Sequence, residues 1–212
     1  MKAVIFDLDG LLIDSEPVWY KANDLFLKRR GFAYTPELQM EMMGTGQKEA
    51  IAIFKKKFKL NGSVDGLIKE RKTIFYNLFS KDIKLMQGVP ELLEGLKSKN
   101  MPMAIATGGH PPGKVKEILQ MFNLRNYFSV IVSSDQVKRG KPYPDVYLFT
   151  SKLLSLNPDD CLVLEDTANG VLSGKAAGMS VIGVNSNLKM RENLLKAGAQ
   201  KVYSNLSAIK NL

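Results

Sequence analysis

The residues Ala3-Val4-Ile5-Phe6 form a short apolar run that stops on Asp7-Leu8-Asp9-Gly10. A run without in–out alternation fits a strand buried on both faces, as in a parallel sheet. Two carboxylates one residue apart then fall at its C-terminal end, and a glycine turns the chain. Open α/β sheets bind ligands at that edge. Two carboxylates there repel unless something neutralises them, and a hard cation with oxygen ligands, such as Mg²⁺, does so. The feature points to a parallel α/β sheet carrying a nucleophilic or metal-binding site.

The rest of the chain agrees from Lys84 onward. Helices are predicted over Pro90–Lys99, Lys114–Met121, Asp145–Leu154, Gly170–Ala177 and Met190–Ala197. Strands are predicted over Met101–Ala106, Val130–Val132, Cys161–Leu164, Ser180–Val184 and Lys201–Tyr203. Alternation at this spacing predicts a doubly wound parallel sheet with right-handed crossovers, a Rossmann-like α/β core.

The rhythm breaks between Ser15 and Ile83. Val18, Ala22, Leu25 and Phe26 fall at helical spacing, and so do Ile51, Phe54 and Phe58, then Leu67, Ile74, Phe75 and Leu78. Thr35-Pro36 reads as a cap with proline in the first turn, and Gly44 as the end of that helix. No strand pattern appears. The expected organisation is a core of residues 1–14 and 84–212, with an inserted α-helical cap of residues 15–83.

Composition narrows the class. The chain has 212 residues, enough for a full core plus an insertion. Hydrophobic residues make up 45% and charged residues 24%, as in globular proteins. No apolar stretch is long enough to span a bilayer. The first residues begin a strand at once, which reads as no signal peptide. Cys161 is the sole cysteine, so no intrachain disulfide forms, and a reducing cytoplasm is the expected setting. The net charge of +9 suits anionic substrates. The Lys55-Lys56-Lys57 run lacks interleaved aromatics for base stacking and reads as a solvated helix face.

The chemical residues gather at four predicted strand ends: Asp7 and Asp9; Thr107 with Gly108 and Gly109; Lys141 in Gly140-Lys141-Pro142; and Glu165-Asp166. Strand ends of a parallel sheet converge on one edge, so carboxylates, a hydroxyl, glycine amides and a lysine meet there. That set suits phosphoryl transfer. One carboxylate attacks phosphorus, a second moves protons, and cations with N–H groups neutralise the phosphoryl oxygens. No Gly-x4-Gly-Lys-Ser/Thr string occurs, which excludes a P-loop enzyme.

In these motifs the chain resembles the haloacid dehalogenase superfamily, in the β-phosphoglucomutase-like phosphatase subgroup with a helical cap after the first strand. Asp7-Leu8-Asp9-Gly10 matches the first family motif, Thr107 the second, Lys141 the third and Glu165-Asp166 the fourth. The resemblance implies Asp7 as nucleophile and Asp9 as general acid and then base. It implies Thr107 and Lys141 as catalytic partners on the phosphoryl group. Mg²⁺ would be held by Asp7, the Asp9 backbone carbonyl and Asp166, with Glu165 a direct or water-mediated ligand. Asp7, beside a lysine and Mg²⁺, is expected to stay ionised well below neutral pH.

Substrate contacts are expected from Gly108, Gly109 and, on the cap, Glu16, Gln47 and Lys72. Glu16 is read equally as a first-turn acid beside a helix cap. His110 reads either as an exposed loop residue or as a contact to substrate or phosphate. Cys161 reads as an inert core residue.

The implied function is a Mg²⁺-dependent phosphatase forming an aspartyl phosphate. Its substrate would be a small phosphorylated metabolite: a sugar, polyol or nucleoside monophosphate. No nucleic-acid or membrane partner is expected, and the chain is expected to act as a monomer. A phosphosugar mutase is the first alternative. In the mutases that the chain resembles, a histidine on the first cap helix assists transfer, and Trp19 stands at the matching position here. A phospho-receiver switch domain is a remote alternative, since receivers lack so large a helical insertion.

Overall fold

The computed structural model describes residues 1–42, 45–210 and 212, so the helix end predicted at Gly44 lies outside the described residues. The chain divides into two compact units, Met1–Ile13 with Leu85–Leu212, and Asp14–Lys84.

The first unit is built on a six-stranded parallel sheet. Its first strand is β1 (Ala3–Phe6). Two short strands, β2 (Ile13–Asp14) and β3 (Lys84–Leu85), pair separately where the chain passes between the units. The sheet continues with β4 (Met103–Thr107), β5 (Val130–Ser133), β6 (Cys161–Glu165), β7 (Ser180–Val184) and β8 (Lys201–Tyr203). The spatial order is β5-β4-β1-β6-β7-β8.

All four residues of β1 have no exposed surface, which explains its uninterrupted apolar run. Ala3 and Ile5 join one buried cluster with Val146, Tyr147, Val171 and Leu194. Val4 and Phe6 point to the opposite face by the strand's two-residue period. There Phe6 meets Phe128 edge-on, with ring centroids 5.8 Å apart.

The second unit holds α1 (Glu16–Lys28), α2 (Pro36–Met42), α3 (Gln47–Phe58) and α4 (Val64–Asp82). Its described core includes Phe26, Phe54 and Phe75, all fully buried. Trp19 stacks on Phe75 with centroids 3.9 Å apart. Arg71, only 6% exposed, lies over Trp19 and donates to Asn23 and Gln47, each at 2.7 Å.

The first unit's helices are α5 (Val89–Ser98), α6 (Pro112–Met121), α7 (Asp145–Leu153), α8 (Ala168–Ala176) and α9 (Leu188–Lys196). Several start one or two residues before the sequence pattern predicts, because the caps lie outside the apolar periodicity. α8 begins at Ala168 rather than Gly170, with the Thr167 hydroxyl accepting from the Gly170 N–H at 3.1 Å.

Candidate active site

The strand order explains how distant residues meet. β1 lies between β4 and β6, with Phe6 in register with Ile105 on one side and Leu164 on the other. Asp7 follows β1, Thr107 ends β4, and Glu165 ends β6. The chain direction across the sheet reverses between β1 and β6, the kind of crevice where such sheets bind ligands.

Lys141 arrives from the loop before α7 and ties these strand ends together. Its Nζ donates to Asp7 Oδ1 at 2.6 Å, to Glu165 Oε1 at 2.5 Å and to the Ala106 carbonyl at 3.0 Å. Burial alone would lower its pKa, but the Asp7 and Glu165 carboxylates outweigh burial and hold it well above the ordinary lysine value. The ammonium therefore stays charged.

Glu165 is fully buried and saturated. Oε1 accepts from Lys141 and from the Tyr147 hydroxyl at 2.9 Å. Oε2 accepts from the backbone N–H groups of Asp166 and Thr167 and from the Thr167 hydroxyl, at 3.0, 3.1 and 3.0 Å. Burial favours its neutral form. The Lys141 charge and these hydrogen bonds win, and its pKa is lowered. Gly170 makes room for this carboxylate, since a Cβ there would come within 1.8 Å of Oε1.

Asp166 is the opposite case. Its Oδ1 is buried with no hydrogen-bond partner among the described residues. A buried carboxylate oxygen without a donor is costly, and a cation supplies what is missing. Asp7, Glu165 and Asp166 each bring an oxygen within 4.8 Å of the others. Burial, with Glu165 and Asp7 nearby, pushes the Asp166 pKa well up despite Lys141. The Gly10 backbone at φ +76° permits this approach, because a Cβ there would meet Asp166 Oδ2 at 2.1 Å.

Asp7 is buried as well. Burial raises its pKa to about 7; Lys141 opposes this, while Glu165 and Asp9 add to it. The expectation that Asp7 stays ionised well below neutral pH counted a lysine and Mg²⁺ together; the lysine alone, shared with Glu165, does not offset desolvation.

Asp9 lies two residues on, half-buried, with Oδ1 3.0 Å from His110 Nε2. Gly109 sits against its other oxygen, where a Cβ would come within 2.9 Å of Oδ2. His110 is 1% exposed, which removes the first of its two readings, the exposed loop residue. Thr107 is fully buried and its hydroxyl accepts from the Gly109 N–H at 3.3 Å, bending the glycine loop over the end of β4. Gly108 is exposed on that loop.

The remaining site residues predicted from sequence belong to the second unit. Glu16 opens α1 and is exposed, Gln47 opens α3 and accepts from Arg71, and Lys72 is half-buried on α4. Sequence reasoning missed Tyr147 and Gly170, and it left the His110 side chain without a partner. A glycine three residues after a Thr cap was a legible signal for Gly170. Tyr147 gave none, since a tyrosine among the buried residues of α7 reads as core.

A family model described as haloacid dehalogenase-like hydrolase matches residues 4–184. The chain belongs to that family. A phosphorylated carbohydrates phosphatase of Thermotoga maritima is 36% identical over 200 residues, covering 94% of this chain and 92% of that protein. (DL)-glycerol-3-phosphatase 2 of Arabidopsis thaliana is 35% identical over 190 residues, covering 85% and 78%. The solved structure of a haloacid dehalogenase family hydrolase from Entamoeba histolytica superposes with a TM-score of 0.87 at 30% identity, over 99% of this chain and 96% of that one. The parallel sheet and its strand order are thus those of a haloacid dehalogenase hydrolase. No helix among the described residues is long and apolar enough to cross a membrane.

Proposed function

We propose that the chain is a Mg²⁺-dependent phosphatase that hydrolyses monoesters of small sugars or polyols through an aspartyl phosphate on Asp7. The observation that carries this reading is the cluster at the β1 and β6 ends. Asp7 is gripped by Lys141 at 2.6 Å, beside an Asp166 oxygen that lacks any described donor. The relatives named above act on phosphorylated carbohydrates and glycerol 3-phosphate, which supports the substrate class.

In this mechanism an Asp7 oxygen attacks phosphorus as the bond to the ester oxygen breaks. Asp9 gives a proton to the leaving alkoxide. Water then attacks the phosphorus, Asp9 takes its proton, and inorganic phosphate departs with Asp7 restored. Lys141, Thr107 and the Gly108 and Gly109 N–H groups neutralise the phosphoryl oxygens. Mg²⁺, held by Asp7, Asp166 and the Asp9 carbonyl, would supply positive charge to the transferring phosphoryl group. The saturation of Glu165 favours it as an anchor for Lys141 and the β6–α8 turn rather than as a direct metal ligand. Trp19, stacked on Phe75 and carrying no titratable proton, favours hydrolysis over a mutase cycle.

The test is phosphate release from a panel of sugar, polyol and nucleoside monophosphates, with Mg²⁺ and with chelator. Turnover of polyol or sugar esters that stops in chelator is the expected result; full turnover in excess chelator would sink the reading. Asp9→Asn sharpens it. Loss on an alkyl phosphate is expected to be about 10²-fold or more, and much smaller on an aryl phosphate, whose leaving group needs no proton. Equal losses would remove Asp9 as the acid.

Metal binding should also couple to pH. Asp7 has a native pKa of about 7, above the unfolded carboxyl value. Between these values the native state binds more protons than the unfolded state. The Asp7 contribution to metal-free stability is therefore full below the unfolded value and falls as pH rises to about 7. Asp166 shifts in the same sense, and Glu165 in the opposite one. Mg²⁺ needs the carboxylates ionised, so its gain in melting temperature should be larger near pH ~8 than near pH ~6. A gain independent of pH would contradict this assignment.

A further inference from the structure

His110 is the chain's sole histidine, and neither the proposed chemistry nor the family motifs give it work. Its place in the fold is specific. It sits between the glycine loop after β4 and the start of α6, followed by Pro111, with φ −67°, and by Pro112 in the first helical turn. Two prolines in succession restrict the backbone that carries the imidazole. The ring is 1% exposed and its Nε2 lies 3.0 Å from Asp9 Oδ1. An ionised carboxylate only accepts, so Nε2 is the donor in that state. The other Asp9 oxygen faces Gly109, where a Cβ would come within 2.9 Å of it. The loop after β4 thus touches both oxygens of a carboxylate that belongs to the loop after β1.

We infer that His110 is the positioning residue for Asp9, holding its carboxyl in the one orientation from which it can pass a proton to the ester oxygen. This rests on the phosphatase reading and extends it to a residue that the motifs leave unassigned. Asp9 serves twice, first giving a proton to the leaving group and later taking one from water. Both transfers need the carboxyl within hydrogen-bond reach of nearly the same point in space. A half-exposed aspartate turns about two bonds, and each misdirected rotamer is unproductive. A rigid donor on an element fixed by β4 and two prolines removes those rotamers. His110 does not touch the phosphoryl group in this scheme and acts through Asp9 alone.

The experiment compares glycerol 3-phosphate with p-nitrophenyl phosphate in the wild type, His110→Leu, His110→Gln, Asp9→Asn and the Asp9→Asn/His110→Leu pair. His110→Leu keeps the buried volume and deletes the donor; His110→Gln keeps a donor at similar reach. On glycerol 3-phosphate, His110→Leu should lower kcat about tenfold or more, with KM nearly unchanged. On the aryl ester the loss should stay within about threefold, because that leaving group departs without a proton. His110→Gln should recover most of the loss. In the Asp9→Asn background, His110→Leu should add nothing further on the alkyl ester. Equal losses on both esters, no loss on glycerol 3-phosphate, or an undiminished loss without Asp9 would each overturn the inference. Should His110→Leu not fold, His110→Asn, with its shorter reach, is read in its place. Failure of both to fold makes the ring a packing residue and overturns it as well. A wild-type chain that turns over neither ester refutes the phosphatase reading itself; normal wild-type turnover with the wrong variant pattern refutes only the role of His110.

Discussion

Asp7→Asn is expected to abolish turnover, by at least about four orders of magnitude, while leaving the protein folded. The amide cannot take the nucleophile's place, and nothing nearby substitutes for it. Asp9 is the other carboxylate on the same turn, and in the proposed cycle it moves protons. Glu165 spends both oxygens on Lys141, Tyr147, Asp166 and Thr167. The stability expectation runs the other way. Asp7 is a buried carboxyl whose ionisation is opposed by burial and by Glu165 and Asp9. An amide removes that cost, and Lys141 keeps Glu165 as its partner. The metal-free variant should melt at or above the wild-type temperature near pH ~8, with a smaller Mg²⁺-induced gain. Turnover within about a hundredfold of wild type would remove Asp7 as nucleophile. A large drop in melting temperature would show that the carboxylate is primarily structural.

Lys141→Ala is expected to damage activity and stability together. For activity, the loss of a fixed cation beside the phosphoryl group should cost about 2–4 kcal/mol of transition-state stabilisation. For stability, burial decides the sign. The side chain is 10% exposed and bridges two buried carboxylates and a main-chain carbonyl. Its removal leaves Asp7 and Glu165 without their cation, and breaking buried pairs of this kind costs about 3–5 kcal/mol. The sign with pH follows. Without Lys141 both carboxyl pKa values move up, so the penalty is greatest above neutral pH and is relieved on acidification. Melting curves across pH, set beside kcat, test both halves. Wild-type activity would remove Lys141 from the mechanism. An unchanged melting temperature above neutral pH would show that the buried ion bridge contributes nothing to the fold.

The two variants separate roles that a contact map merges. Asp7 is held by Lys141, while burial opposes its ionisation. Lys141 is what makes so dense a carboxylate cluster tolerable in the absence of a metal. The orphaned Asp166 oxygen marks where that compensation stops and where a cation would add most.

The buried strand β1 was legible from four apolar residues, because burial on both faces leaves no room for alternation. The parallel α/β core followed from strand–helix spacing, and its order places β1 between β4 and β6. The motifs Asp7-Leu8-Asp9-Gly10, Thr107, Lys141 and Glu165-Asp166 were visible as strand-end chemistry, since a parallel sheet presents its strand ends on one side. Tertiary structure alone decided how the carboxylates differ. Glu165 and Asp166 are neighbours in sequence, yet one meets five donors and the other has an oxygen with none among the described residues. That difference depends on Lys141 and Tyr147, which the fold brings to Glu165 from 24 and 18 residues away. The direction of the Asp7 pKa was likewise out of reach of the sequence, because it is the balance of desolvation against one shared lysine. His110 shows the limit most plainly. A lone histidine between glycine and proline reads as a loop, and only the packing of the β4 loop against the β1 turn, 101 residues apart in the chain, buries it against Asp9.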